Sequence, residues 1–108
     1  MKEKLNLMWR SESSTFIIGE LIYSDERYYY KYNPEEVKKA SEEGFQLLEG
    51  FPRVNSKYFS EEPFKLFTSW TNHGKTDETE FEDFRGLNHE RFSFETVIED
   101  LPEEEKTN

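Results

Sequence analysis

The first third of the chain carries three hydrophobic runs separated by short polar segments. Residues 5–10 (LNLMWR) alternate between apolar and polar positions, and residues 15–23 (TFIIGELIY) are rich in β-branched and aromatic side chains. Residues 27–32 (RYYYKY) form the third run. Because short polar connections join antiparallel neighbours, this pattern predicts a β-meander of three strands. Gly19, in the middle of the second run, predicts a bulge or a close approach of another group to the backbone.

The tyrosines of the third strand have two possible roles, as a platform for nucleic-acid bases or as core residues. In a strand, Tyr28, Tyr30 and Tyr32 share one face, whereas Tyr29 and Lys31 share the other. A base-stacking sheet normally has a cationic surround. The charged residues next to these tyrosines are Asp25, Glu26, Arg27, Lys31, Glu35 and Glu36. Because acidic residues outnumber basic ones here, we expect Tyr28, Tyr30 and Tyr32 to pack in the core.

Two short helices are predicted in the middle of the chain. Asn33 is a suitable cap and Pro34 a suitable first residue for a helix that ends near Gly44. A second helix is predicted with Ser60 as its cap, burying the two phenylalanines of 64–67 (FKLF).

Two more helices are predicted in the C-terminal third. Asp77 with Glu80 fits a capping box for a helix that stops at Gly86. The last helix is predicted to begin at Ser93, because 94–101 has apolar residues at helical spacing. The predicted fold is therefore α+β, with a small antiparallel β-meander of three to four strands packed against three to four short helices.

The size and composition of the chain favour one domain with an aromatic core. The chain has 108 residues, of which 33% are hydrophobic and 17% aromatic. Buried rings remove large areas from water, so ten Phe and six Tyr compensate for the modest aliphatic content. We expect a single domain over 1–101 that includes an acidic helical extension over 77–101, and a disordered acidic tail over 102–108.

Charge is distributed unevenly along the chain. Residues 77–108 hold 12 acidic and 3 basic side chains, a net of −9, whereas residues 1–76 hold 12 and 11, a net of −1. Such a surface does not neutralise phosphates, so we expect no direct binding of nucleic acid. The acidic surface comprises Asp77, Glu78, Glu80, Glu82 and Asp83. It either keeps the protein soluble or, as a DNA mimic, fills a basic groove on a partner.

Other classes of function find little support in the sequence. The chain has no cysteine, and its only imidazoles, His73 and His89, lack the spacing of a zinc site. There is no nucleophile elbow and no Gly-rich phosphate loop, so we expect no enzyme activity, no metal and no cofactor. We also expect no membrane segment or signal peptide, and a cytoplasmic location.

Three segments in succession, GELIYSDERYYYKYNPEEV, GFQLL and YFSEEPFKLF, resemble the N-terminal subdomain of HipA-type kinases. The resemblance covers roughly residues 5–70. The matching residues are Gly19, Tyr30, Tyr32, Asn33, Pro34, Glu35, Phe64 and Phe67. Residues 77–101, with Arg85-Gly86-Leu87, look like the extension of stand-alone proteins of this kind, which often continue into a HIRAN-type domain.

The resemblance implies an antitoxin rather than a toxin. In three-component systems the subdomain is a separate small protein, HipS, which binds and neutralises the shortened kinase HipT. The resemblance therefore implies a non-catalytic interaction module whose partner is a HipT-like Ser/Thr kinase or another toxin or defence protein. Two alternatives stay open, namely an acidic phage-encoded inhibitor of a nucleic-acid-binding defence protein, and the N-terminal domain of a longer HIRAN-containing protein.

Trp70 is the first candidate for the partner-binding site. It lies in a polar segment directly after the predicted second helix, and large aromatic residues are common anchors in protein interfaces. The alternative is that Trp70 folds back onto the predicted third helix, which begins at Asp77 and stops at Gly86. The partner-binding candidates are Ser69, Trp70, Asn72, His73 and Lys75.

Overall fold

The computed structural model describes residues 2–71 and 79–97, which form one six-stranded antiparallel sheet with short helical segments on one face. The strands are β1 (Lys2–Arg10), β2 (Thr15–Ser24), β3 (Arg27–Tyr32), β4 (Lys57–Ser60), β5 (Asn88–His89) and β6 (Phe92–Thr96). Their order across the sheet is β4-β3-β2-β1-β6-β5. The α-helices of the described residues are α1 (Pro34–Ser41) and α2 (Lys65–Thr68), and Phe81–Phe84 forms one turn of 3-10 helix.

The predicted meander of β1, β2 and β3 is confirmed. β2 pairs with both neighbours in antiparallel register. Asp25 and Glu26 join β2 to β3 with φ angles of 54° and 64°. Positive φ at both central residues is typical of the two-residue turns that match the twist of a hairpin, so this tight turn fixes the register of β3.

The alternation of each strand separates a core face from an outer face of the sheet. Leu5, Leu7 and Trp9 of β1 are buried on the core face. Tyr28, Tyr30 and Tyr32 lie on the same face with exposed fractions of 6%, 0% and 4%, which confirms that these tyrosines are core residues. The centre of the core is Phe67 of α2, whose ring contacts those of Tyr30, Phe51, Phe64, Trp70, Phe84 and Phe94.

Gly19 has the close approach that its position in β2 predicted. A Cβ on Gly19 would lie 2.2 Å from the hydroxyl oxygen of Tyr30 and 2.7 Å from the carbonyl oxygen of Lys31. The register between β1 and β2 also shifts here, because Leu7 pairs with Gly19 whereas Met8 pairs with Ile17. The absence of a side chain at Gly19 therefore lets the ring of Tyr30 cross the strand next to the bulge.

Tyr32 connects β3 to the loop that follows α1. Its hydroxyl donates a hydrogen bond to the carbonyl oxygen of Phe51 at 2.7 Å and accepts one from the amide of Leu48 at 2.9 Å. Both bonds are buried. They hold residues 45–51 against the core, where Phe45, Leu48 and Phe51 are buried.

The predicted start of α1 is confirmed at Pro34, with Glu35 and Glu36 in the first turn. Asn33 precedes the helix in extended conformation, but its side chain makes no capping hydrogen bond. The helix ends at Ser41, and a turn leads to Gly44 at a φ of 110°. Val37 and Ala40 are the buried residues of the helix, so α1 covers one edge of the core.

The prediction of an α+β fold with three to four helices is wrong, since the protein is mostly β. The largest error concerns residues 93–101, where a helix was expected. Residues 92–96 form β6, which pairs with β1 from Trp9↔Phe92 to Leu5↔Thr96. The apolar residues of this segment fit a strand as well as a helix, and pairing with the free side of β1 decides between them. Ile98 and Leu101 lie outside the described residues.

The other two helix predictions were too long. Ser60 ends β4 rather than capping a helix, and Phe64 is still extended at φ −65° and ψ 134°, so α2 has only four residues. The capping box in 80–83 joins Glu80 to Asp83, and the helical turn there has four residues. Gly86, at a φ of 78°, then redirects the chain into β5. Asp77 and the predicted tail, 102–108, lie outside the described residues.

Candidate functional site

An apolar groove lies beside β4, on the core side of this edge strand. The groove has a volume of about 450 Å³, and its apolar lining residues include Phe51, Tyr58, Phe64 and Leu66. We call it the β4 groove. The ring of Phe51 packs edge-on against Tyr58 at 4.9 Å and against Phe64 at 5.2 Å, so the wall of the groove is continuous with the core.

Local hydrogen bonds fix the shape of the β4 groove. The hydroxyl of Tyr58 accepts a hydrogen bond from the amide of Arg53 at 2.8 Å and lies 3.3 Å from the carbonyl oxygen of the same residue. The loop before β4 is thereby attached to the strand, while the two bonds of Tyr32 attach the same loop to β3. A groove with restrained walls loses little conformational entropy when a ligand binds.

β4 is also an open edge of the sheet. In the order of strands formed by the described residues, it has β3 on one side and no strand on the other. Within 2–71 and 79–97, the backbone of Lys57–Ser60 hydrogen-bonds to no backbone other than that of β3. An edge strand presents unpaired amide and carbonyl groups, which pair readily with another extended segment.

The most exposed large hydrophobic side chain of the described residues is Phe59, in the middle of β4. It is 61% exposed and lies on the outer face, next to Tyr29 with 6.2 Å between ring centroids. The guanidinium of Arg27 lies over the ring of Phe59 at 5.9 Å, and the ammonium of Lys57 lies over the ring of Tyr29 at 5.1 Å. Exposed rings with cations above them are common in recognition surfaces.

The outer face around Phe59 is basic although the chain as a whole carries −10. The strand registers place the following basic residues on this face: Lys2, Lys4, Arg27, Lys31 and Lys57. The acidic residues placed there are Glu20, which is paired with Lys31 at 3.9 Å, and Glu95 in β6. At the end of the sheet, Asp25, Glu26 and Glu61 lie beside Arg27. We call this surface the basic outer face. It favours an anionic partner.

Sequence reasoning missed this basic surface because its basic residues come from three different strands. In the sequence, the residues next to 27–32 are mostly acidic. Lys57 and Lys4 lie on the same face as Lys31 only because the strands pair. The one signal for this surface in the sequence is the alternation of 57–60 (KYFS). This segment is too short to predict a strand by itself.

Trp70 packs against the protein itself. Its indole stacks on the imidazole of His89 at 4.9 Å with an interplanar angle of 7°, and on the ring of Phe92 at 5.0 Å. It also contacts Phe67 of α2 edge-on at 5.3 Å. The side chain is half-buried between α2 and the β5–β6 hairpin. The alternative for Trp70 placed it on the predicted third helix, whereas the rings that it contacts belong to α2 and the β5–β6 hairpin. Its role in partner binding stays a prediction.

Of the other partner-binding candidates, Ser69 is described by the structure. It lines the β4 groove, and its hydroxyl donates a hydrogen bond to the carbonyl oxygen of Leu66. Asn72, His73 and Lys75 lie outside the described residues. Trp70 and Ser69 are adjacent in the chain, but Trp70 packs toward β6 whereas Ser69 borders the groove.

The described acidic candidates have local partners. The Glu80 side chain accepts from the backbone of Asp83, and the Asp83 carboxylate accepts from the amide of Glu80 at 2.9 Å. Glu82 pairs with Arg85 at 2.9 Å, and Arg85 also pairs with Glu3 of β1 at 3.1 Å. These carboxylates therefore stabilise the turn and its attachment to the sheet. Asp77 and Glu78 lie outside the described residues.

The buried tyrosines are neutral phenols at physiological pH. The pKa of Tyr28 is raised to about 12, mainly by burial and in addition by charge repulsion from Tyr23, Glu80 and Asp83. Burial also raises the pKa of Tyr32 to about 12, although its bond from Leu48 acts in the opposite direction. The pKa of Tyr30 is raised well above its ordinary value, again by burial. These shifts follow from packing, and they mark the core rather than a catalytic site.

Two further searches of the described residues gave negative results. No group of three or more His, Cys, Asp or Glu side chains is arranged to hold a metal ion. None of the helices in this part of the chain combines the length and the hydropathy needed to cross a bilayer.

Comparisons with protein-family models, with curated proteins and with solved structures found no match to this chain.

Proposed function

We propose that this protein is a non-catalytic protein-binding module, and that it acts as a HipS-like antitoxin that binds and inhibits a HipT-type kinase in the cytoplasm. The observation that carries the binding function is the juxtaposition of the β4 groove, the open edge of β4 and the exposed ring of Phe59. The identity of the partner rests on the resemblance of residues 5–70 to the HipA N-terminal subdomain.

The residues that carry this resemblance have structural roles in the protein. Tyr30 packs on Gly19, on Tyr32 at 5.1 Å and on Phe67 at 5.6 Å. Phe64 packs on Phe67 at 6.1 Å. The residues that carry the resemblance therefore build the core. Specificity for a partner has to come from residues outside this pattern. Phe59 and Lys57 are such residues, and both are exposed.

Binding to a kinase is tested by co-expression. The chain is produced with a HipT-type kinase encoded beside it, and the complex is purified through a tag on the kinase. We expect the two proteins to co-purify, the kinase to lose autophosphorylation activity, and the growth arrest caused by the kinase to be relieved. Failure to co-purify, with the kinase still active in the presence of excess protein, would contradict the proposal.

A matched pair of variants locates the interface in the same assay. Phe59→Ser removes the exposed ring at the open edge, and we expect it to weaken the complex about tenfold or more, as for an aromatic anchor. Leu47→Ser removes another exposed hydrophobic side chain, 41% exposed in the loop before β4, and serves as the control. Equal effects of both substitutions would show that general surface hydrophobicity, and not the edge of β4, governs binding.

The acidic-decoy hypothesis receives less support from the described residues. Glu80, Glu82 and Asp83 already bind backbone amides or Arg85, so they are poorly placed to imitate free phosphates. The inhibitor of a nucleic-acid-binding protein is distinguished by salt, because a complex of that kind weakens steeply as ionic strength rises.

A further inference from the structure

We propose that β4 binds an extended segment of the partner protein as an additional strand, and that this segment alternates apolar and acidic side chains. The proposal rests on the protein-binding function above and names the chemistry of the ligand for the same site. Edge strands of sheets bind peptides in this way, with main-chain hydrogen bonds giving affinity and pockets for alternate side chains giving specificity.

The backbone of β4 meets the first requirement of strand addition. Tyr58 and Phe59 pair with Tyr30 and Tyr29 on one side, and the opposite side of β4 carries no strand in the part of the chain that the structure describes. An added strand would lie about 4.8 Å from β4, which is the usual spacing of paired strands. Its backbone could then form hydrogen bonds with the amide and carbonyl groups on the open side of β4. The pairing with β3 fixes the register of β4, and the bonds between the Tyr58 hydroxyl and Arg53 attach the preceding loop to the strand.

The second requirement of strand addition is a separate site for alternate side chains of the ligand. The two faces of β4 meet it, because they differ in chemistry. On the core side, the side chains of an added strand would enter the β4 groove and contact Phe51, Phe64 and Leu66. On the outer side, they would lie beside Phe59 and Lys57. Successive side chains of a strand point to opposite faces, so the ligand that fits both surfaces has a period of two.

Charge complementarity decides which side chains face outward. Lys57 is exposed, and the basic outer face continues from it to Lys31 and Arg27 on β3 and to Lys4 on β1. Glutamate or aspartate at the outward positions would meet Lys57, the cation of β4 itself, whereas lysine or arginine would be repelled. The inward positions favour phenylalanine, leucine or other apolar residues, because the lining of the groove is mainly aromatic and aliphatic.

The same geometry favours a protein segment over single-stranded nucleic acid. The β4 groove is lined on the core side by Phe51, Tyr58 and Phe64, and Phe59 of the outer face also borders it. A peptide strand reaches both surfaces because its side chains alternate. A nucleic acid places its bases and phosphates on one sheet face at a time. In addition, cations already lie over both rings, at 5.1 Å for the half-buried Tyr29 and 5.9 Å for the exposed Phe59.

The test uses two synthetic heptapeptides of the same composition and a labelled sample of the full chain. The first peptide alternates, Glu-Phe-Glu-Leu-Glu-Phe-Glu, and the second is segregated, Phe-Leu-Phe-Glu-Glu-Glu-Glu. Binding is followed by two-dimensional nuclear magnetic resonance, which detects weak complexes and identifies the amides that respond. We expect the alternating peptide to shift the amide signals of 57–60, to protect them from hydrogen exchange, and to bind about tenfold tighter than the segregated peptide.

A charge-reversal pair tests the outer side of the ligand. Lys57→Glu places a negative charge beside the outward glutamates, and we expect it to weaken the alternating peptide about tenfold. Lys38→Glu makes the same change of charge on the exposed surface of α1 and serves as the control. We expect its affinity for the peptide to stay within about twofold of that of the unmodified protein.

Each other result overturns the proposal. Equal affinity for the two peptides, unshifted signals of β4, or an unaltered affinity in Lys57→Glu would exclude an alternating ligand at this edge. Shifts of the β4 signals that depend on protein concentration without peptide would assign the edge to a second copy of the chain. Stronger shifts of the same signals by an oligothymidylate would assign the basic outer face to nucleic acid.

The peptide test and the kinase test fail separately. A kinase that co-purifies equally with Lys57→Glu, together with no peptide binding, would refute the alternating ligand and leave the antitoxin function intact. Binding of the alternating peptide without co-purification of the kinase would refute the kinase as partner and leave the ligand chemistry intact.

Discussion

Replacing Tyr32 by phenylalanine tests how the loop beneath the groove is held in place. The substitution keeps the ring and removes only the hydroxyl, which donates to the carbonyl of Phe51 at 2.7 Å and accepts from the amide of Leu48 at 2.9 Å. Both backbone groups would be left buried without this partner. Each such group costs about 1–3 kcal/mol, so we expect Tyr32→Phe to lower the free energy of unfolding by about 2–4 kcal/mol. That is a large part of the roughly 5–15 kcal/mol that stabilises a typical domain.

A matched control lies two residues away in the same strand. Tyr30 is fully buried, and its hydroxyl has no hydrogen-bond partner among the described residues. Removing this hydroxyl takes away a polar group that is buried at a cost, so we expect Tyr30→Phe to leave stability unchanged or to raise it by up to about 1 kcal/mol. The two variants therefore compare the effect on stability of removing a buried hydroxyl that makes hydrogen bonds with the effect of removing one that makes none among the described residues.

Urea denaturation followed by tryptophan fluorescence measures both variants, because Trp9 is buried in the core. We expect the midpoint to fall for Tyr32→Phe while the slope of the transition is unchanged. Phe51 forms a wall of the β4 groove, so the same variant should also bind the alternating peptide more weakly. Equal losses in the two variants, or a loss below about 0.5 kcal/mol for Tyr32→Phe, would refute the assigned role of these hydrogen bonds.

Three further predictions follow from the core. Gly19→Ala should cost about 2–4 kcal/mol of unfolding free energy, since its Cβ would lie 2.2 Å from the Tyr30 hydroxyl, and a loss below about 1 kcal/mol in urea would contradict this packing. Tyr28 and Tyr32 have a pKa of about 12 in the folded protein and about 10 when unfolded. The folding stability that these raised pKa values contribute is therefore complete below pH 10, and it is lost as the pH rises through 12. Melting temperatures between pH 8 and pH 12 measure this, and a melting temperature that does not fall above pH 10 would contradict it. Trp70→Ala should lower stability by about 2–3 kcal/mol because the indole packs on neighbouring rings, whereas unchanged stability with weaker kinase binding would identify Trp70 as a partner contact.

The elements that could be predicted from the sequence are those with local signals. β1, β2 and β3 follow from alternation and turn residues, and the start of α1 follows from Pro34 and the acidic residues after it. The burial of Tyr28, Tyr30 and Tyr32 followed from the period of a strand and the local charge. Each of these inferences uses residues within a few positions of one another.

The errors concern residues whose structure depends on distant partners. Phe94 fits a helical stripe in the sequence, but it is a strand residue because it pairs with Leu7 of β1. The exposure of Phe59 and the packing of Trp70 likewise depend on which elements lie beside them. In the described part of the chain, β3 is the one strand beside Phe59, whereas Trp70 is covered by His89 and Phe92 of a hairpin that the sequence pattern did not indicate.

The position of β1 between β2 and β6 has a consequence for biosynthesis. As the protein leaves the ribosome, β1 and β2 emerge together and are free to pair, but one side of β1 stays open until Phe92–Thr96 is translated. For most of the translation time the nascent chain therefore carries an unpaired hydrophobic strand edge, which is a site for misassembly with other nascent chains. Because closing this long-range pair comes last and is slow, the yield of native protein should depend on chaperones and on the rate of elongation.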